Sequence, residues 1–145
     1  SGMNSEDMIN ENIRVASEAD PGHLTPEDLQ IVEQIKQIIR EREKVGCTGC
    51  RYCMPCPKGV DIPGNFYYYN LMYMEKKSSA RLEFAKNMGL CKEPGFASQC
   101  VGCGRCEKHC PQHIKIREKL KEADRDLRPL PYKIGIHAAR KIILR

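Results

Sequence analysis

CTGCRYCMPCP, residues 47–57, sets four cysteines three positions apart and follows the last with proline. CVGCGRCEKHCP, residues 100–111, repeats the device with one more residue before its fourth cysteine. The two runs hold eight of the nine cysteines, and Cys91 stands apart. Thiols two residues apart on a tight loop point at a common centre, which suits metal ligation better than cross-linking of distant segments. The N-terminus lacks a basic stretch followed by an apolar one, so no export signal is read and a reducing, cytoplasmic setting is expected.

The second run has the spacing C-x2-C-x2-C-x3-C-P of bacterial-type two-cluster ferredoxins, in which the fourth cysteine of each run ligates the other run's cluster. The first run is one residue shorter before Cys56, which is tolerable if Cys56 serves the other cluster. Two [4Fe–4S] clusters are therefore expected. Cys47, Cys50, Cys53 and Cys110 would hold one; Cys100, Cys103, Cys106 and Cys56 would hold the other. The prolines after Cys56 and Cys110 would turn the chain away behind each crossing ligand. Structural zinc usually takes two cysteine pairs a dozen or more residues apart, and four thiols within ten residues fit that poorly.

The composition agrees with a metal-dependent fold. The 145 residues contain no tryptophan, 6% aromatics and 30% charged residues, a modest core that metal staples would reinforce. No run of about 18 apolar residues is present, so no membrane span is expected. Residues 1–35 carry eight acids against Arg14 alone, and the remainder carries 23 basic residues against 11 acids. Oxidised four-thiolate clusters are anionic and would absorb part of that excess, and the cations are scattered over helical faces. Nucleic-acid binding is accordingly not expected.

The pattern is helical throughout. Met8, Ile9, Ile13 and Ala16 recur at helical spacing, and "EADPGH" breaks that helix. Thr25, Pro26 and Asp28 read as a capped start, followed by the stripe Leu29, Val32, Ile35 and Ile39, with Gly46 as the stop. "FYYYNLMYM", residues 66–74, has strand propensity, but Pro63-Gly64 before it and the following "EKKSSARLEFAKNMG" favour two short helices. Ile116, Leu120, Ala123 and Leu127 share one side of a further helix, which Pro129 and Pro131 should stop. The tail, "IGIHAARKIILR", is short, basic and apolar, and is expected to be docked or frayed.

The 43 residues between Cys56 and Cys100 are too many for a compact hairpin ferredoxin and look helical. This suggests an α-helical ferredoxin arrangement, similar to the dicluster domain of succinate dehydrogenase iron–sulfur subunits. "CTGCRYCMPCPKGVDIP" followed by "CVGCGRCEKHCPQHI" more closely resembles the C-terminal ferredoxin-like domain of iron–sulfur aldo/keto reductases. "SGMNSEDMINENIRVASEADPGHLTPEDLQIV" is similar to the end of the reductase barrel, with Glu11-Asn12 on a helix and a Leu-Thr-x-Glu-Asp helix start.

The resemblance implies an all-α fold: an α-helical ferredoxin-like dicluster domain preceded by helices from the end of a (β/α)8 barrel. Residues 1–22 would be the barrel's last loop and helix, 23–45 a connecting helix, 46–128 the two-cluster domain and 129–145 a C-terminal tail. It further implies electron transfer on behalf of an aldo/keto reductase-family oxidoreductase, the upstream barrel being the partner in the same chain. The redox partner is not identified by the sequence. In that family the loop and helix hold the adenosine end of the nicotinamide cofactor, NAD(P). The matching positions are Gly2, Met3, Asn4, Ser5, Met8, Glu11 and Asn12, of which Asn4, Ser5, Glu11 and Asn12 are the expected contacts. Gly2 and Met8 replace the family's usual basic residues, so a 2′-phosphate lacks its partners. The family's catalytic residues lie upstream, so these 145 residues by themselves are expected to catalyse nothing. The alternative function is a metal-stapled structural or docking domain, in which clusters or zinc hold the fold without a redox role. His109 and His113 are expected at the surface or behind the ligands, and Cys91 as a small buried hydrophobe.

Overall fold

The computed structural model describes residues 3–20 and 22–144. Gly2 of the expected nicotinamide loop lies outside the described residues. Among them no strand forms, and the chain is all-helical. Close contacts divide it into two compact units, residues 1–40 and 41–145.

The first unit contains α1 (Glu6–Glu18) and most of α2 (Pro26–Arg42). Ser5 caps α1 by accepting a 3.3 Å hydrogen bond from the Met8 N–H. At α2 the Thr25 hydroxyl accepts from the Asp28 N–H, and the Asp28 carboxylate accepts from the Thr25 N–H, closing the expected capping box. Neither helix buries a residue; Ile9, Ile13, Leu29, Val32, Ile35 and Ile39 are all exposed.

The second unit is built on two packed helices, α3 (Ile62–Met74) and α6 (Ile116–Leu127). Ile62, Phe66, Tyr69 and Met72 of α3 are buried, as are Ile116, Leu120, Ala123 and Leu127 of α6. Each large side chain so buried contributes on the order of 1.5–3 kcal/mol. α4 (Lys77–Phe84) continues from α3 and adds Ala80 and Phe84, so "FYYYNLMYM" is helix and not strand. A π-helical turn, Ala85–Gly89, leads to Cys91. Cys91 is exposed, which corrects its expected burial. It lies just past the turn on the outer side, its thiol donating to the Asn87 carbonyl at 3.1 Å.

Two asparagines on α3 fix the segments that enter the cysteine runs. Asn70 Oδ1 accepts from the N–H groups of Lys44 and Val45, both at 3.0 Å, and its amide donates to the Val45 carbonyl. Capturing these N–H groups draws the chain out of helix early, so α2 stops at Arg42 and not at Gly46. Asn65, 1% exposed, donates to the carbonyls of Asp61 and Gly95 and accepts from the Ala97 N–H. Gly95 stands at φ +57°, and a Cβ there would meet the Asp61 nitrogen at 2.9 Å. Gly95→Ala is therefore expected to cost about 2 kcal/mol through left-handed strain and this contact. Thermal melting checks it, and an unshifted midpoint would refute it.

Pro129 and Pro131 do end α6, but they also start a further helix, α7 (Leu130–Ile143), over what reads as a tail. Proline suits a first helical turn because the N–H it lacks has no partner there. Ile136 packs against Gly89, and Arg140 donates to the carbonyls of Gly89, Cys91 and Lys92. No helix is long and apolar enough to cross a membrane among the described residues.

Candidate metal centres

The two cysteine runs fold alike around their first three cysteines. Gly49 and Gly102, two positions after the leading cysteines, have φ of +69° and +73°. Arg51 and Gly104, just after the second cysteines, have φ of +64° and +75°. Repeating left-handed residues at the same places winds each loop round its own interior in the same sense. Each loop also turns a backbone N–H onto its first sulfur: Gly102 donates to Cys100 Sγ at 3.4 Å, and Gly49 donates to the Cys47 thiol.

The likeness continues past the fourth cysteines. The Cys56 carbonyl accepts from the Gly59 N–H at 2.9 Å, and the Cys110 carbonyl from the His113 N–H at 3.1 Å. Pro57 and Pro111 occupy the second position of these turns, where a fixed φ is favoured. Gly59 and His113 then take φ of +69° and +51°, and the chain enters α3 and α6 at Ile62 and Ile116. The duplication thus covers loop, turn and helix, and the two helices pack together. The runs differ where the extra residue lies. Arg105–Lys108 form a helical turn, α5, before Cys110, whereas the first run has Met54 and a cis Pro55 before Cys56.

This geometry sorts the eight thiols into two sets. Cys47, Cys50, Cys53 and Cys110 line one cavity, closed by Ile62, Phe66, Ile114 and Ile116. Cys56, Cys100, Cys103 and Cys106 line a second, with Val60, Ile62 and Leu120 at its back. Cys53 borders both. The first cavity thus takes three thiols from the first run and Cys110 from the second, and the second takes three from the second run with Cys53 and Cys56 from the first. Glu107 braces the second loop by accepting from the Arg117 backbone at 2.9 Å and pairing with its guanidinium at 2.8 Å. Cys50 and Cys103 are exposed, and the other six thiols are half-buried.

The donor set fits a polynuclear metal group. Burial pushes the Cys53 thiol up to about 11, and the neighbouring Cys47, Cys106 and Cys50 thiols push the same way. Burial likewise raises Cys47 and Cys106. Thiols so placed ionise together only around a cation. His109 lines the second cavity but is exposed, and His113 sits in its turn.

The residues expected around a nicotinamide are all exposed on the first unit. The Ser5 hydroxyl caps α1, Glu11 pairs with Arg14 at 2.8 Å, Asn12 donates to the Met8 carbonyl, and Asn4 precedes the helix. Asn65, Asn70 and Glu107 are not apparent from the cysteine spacing. Aligning the runs on Gly49 and Gly102, and then Phe66 with Leu120, would have shown that α3 and α6 are equivalent supports.

Residues 46–115 match the family model of the 4Fe-4S dicluster domain. This segment is an iron–sulfur dicluster domain. No curated protein and no solved structure matches the chain.

Proposed function

We propose that the chain is an electron-transfer module holding two [4Fe–4S] clusters with exchanged fourth ligands. One is held by Cys47, Cys50, Cys53 and Cys110, the other by Cys100, Cys103, Cys106 and Cys56. The observation that supports this reading is that each cavity mixes the runs: Cys110 joins Cys47, Cys50 and Cys53 in one, and Cys56, beside the shared Cys53, joins Cys100, Cys103 and Cys106 in the other. Such clusters, when bound, take up and release one electron at a time. The chain's own residues do the rest. The Gly49 N–H favours ionised sulfur at Cys47 against the opposing effect of burial, and the Gly102 N–H donates to Cys100 Sγ. Phe66, Ile114 and Leu120 keep water from the inner sides of the sites.

We further read the module as the electron-transfer end of an aldo/keto reductase-type oxidoreductase in the cytoplasm. Residues 1–22 would come from the reductase barrel, 23–45 would connect, 46–128 would hold the clusters and 129–145 would follow. The motif resemblance supports this, as do the exposed apolar stripes of α1 and α2, a pattern suited to packing on a larger body. Asn4, Ser5, Glu11 and Asn12 would then face the adenosine end of NAD(P).

Metal and sulfide analysis tests the reading. Protein purified without air is expected to contain about eight iron and eight sulfide per chain and to be bleached reversibly by a one-electron reductant. One or two zinc per chain without sulfide, even after anaerobic reconstitution, would refute it.

A further inference from the structure

We infer that the exposed face of the second cysteine loop is the docking site of a small, acidic, one-electron carrier protein. The inference rests on the electron-transfer reading above and adds where the electron enters or leaves. Tyr52 and Val101, 69% and 62% exposed, border the cavity of Cys56, Cys100, Cys103 and Cys106. Two large apolar side chains held in water over four thiols make the dry centre of a contact patch. Around them stand Lys58, Arg105 and Arg117, and the lining contains no carboxylate. Glu107 already answers Arg117, whereas Lys58 and Arg105 pair with no acid among the described residues. The adjoining groove reaches Cys100 and Gly102; its cations, Lys115 and Lys121 among them, outnumber its acids, of which Glu107 pairs with Arg117 and Asp124 with Arg128 and Lys133, leaving Glu118. The first loop offers no such rim, because its Arg51 lies 4.0 Å from Asp61.

Unpaired cations around an exposed apolar centre steer an acidic partner and orient it on arrival. Because electron tunnelling weakens steeply with distance, the partner must press where a ligand thiol is exposed; Cys103 is exposed here as Cys50 is on the first loop, and the unpaired cations favour the second. One electron crosses, oxidising the carrier's centre by one and reducing the chain's cluster by one, or the reverse. No bond is made or broken.

The test uses the cluster-loaded chain and a reduced acidic flavoprotein carrier, with the methyl viologen radical as a small reductant that needs no docking. Lys58→Glu combined with Arg105→Glu is expected to slow reduction by the carrier about tenfold at low salt, to weaken its binding in calorimetry similarly, and to flatten the salt dependence. Iron content and the viologen rate should not change. Because Arg105 lies inside a cysteine run, Lys115→Glu with Lys121→Glu provides a second variant, expected to slow the carrier several-fold. Lys76→Glu with Lys141→Glu changes net charge equally on other surfaces and should have little effect. Equal loss in that control, or no loss in either docking variant, overturns the proposal. A salt-labile dimer of the wild-type chain that the docking variants abolish would assign the face to a second copy instead. Tighter binding of single-stranded RNA than of the carrier, lost in the same variants, would assign it to nucleic acid. A chain that even the viologen cannot reduce would overturn the electron-transfer reading itself.

Discussion

Cys56→Ala is expected to remove the cluster held by Cys100, Cys103 and Cys106 and to leave the other in place, lowering iron from about eight to about four per chain. Cys110→Ala should do the reverse, sparing the cluster of Cys100, Cys103 and Cys106. The reason is positional. Cys56 lines the second cavity and is absent from the lining of the first, although only two residues separate it from Cys53. Cys110 lines the first cavity and is absent from the second. Both cysteines lie at the start of proline turns that carry the chain away from its own loop, toward α3 and α6. Cys53 borders both cavities and is the residue able to substitute, so Cys53→Ala belongs in the set. If Cys53 took the place assigned to Cys56, Cys56→Ala would spare the cluster of Cys100, Cys103 and Cys106 and leave the other with three thiolates, whereas Cys53→Ala would damage both. Ligation within each run would instead make Cys56→Ala destroy the cluster of Cys47, Cys50 and Cys53. Iron and sulfide analysis with electron paramagnetic resonance of the reduced variants separates the three cases.

The cysteine spacing made the metal chemistry legible because a cubane constrains local sequence tightly: three thiols on one loop and a turn after the fourth. Helical content was legible for similarly local reasons. The capping box at Thr25 and the stripe Ile116, Leu120, Ala123 and Leu127 are read within a few turns of helix. The exposure of Cys91 was not legible, because "MGLC" does not reveal that its helix ends in a π-turn facing outward. Nor was α7, since Pro129 and Pro131 both stop one helix and begin the next, and only the contact of Ile136 with Gly89 favours the beginning. Least legible were Asn65 and Asn70. In "GNFYYYNLM" they look like polar residues within an aromatic stretch, and all their partners but Asp61 lie 25 to 32 positions away.

Asn65→Ala is expected to be among the most damaging substitutions outside the cysteines, costing about 3–4 kcal/mol. The side chain makes three hydrogen bonds, at 2.7 Å to the Asp61 carbonyl, 2.8 Å to the Gly95 carbonyl and 3.2 Å from the Ala97 N–H. The Gly95 carbonyl also accepts from the Asp61 N–H, so it keeps a partner after truncation. The Ala97 N–H loses the Asn65 acceptor at a site 5% exposed, and an unmet buried donor costs about 1–3 kcal/mol. The remainder comes from the weakened carbonyls and from the void beside Phe66 and Ala97. Asn70→Ala should cost less, about 1–2 kcal/mol, because Lys44 is exposed and water can reach its N–H, although Val45 is only 3% exposed. Asn65→Asp should be no rescue, since it keeps the acceptor for Ala97 but discards both donors and buries a charge. Because residues 95–97 lead directly into Cys100, loosening them should release the second cluster first. In anaerobic melting of the loaded chain, Asn65→Ala is expected to lower the midpoint by about 10 °C or more. Loss of absorbance from the cluster of Cys100, Cys103 and Cys106 should precede loss of helix. A midpoint within about 2 °C of wild type, or simultaneous loss of both clusters, would show that Asn65 does not anchor the second loop.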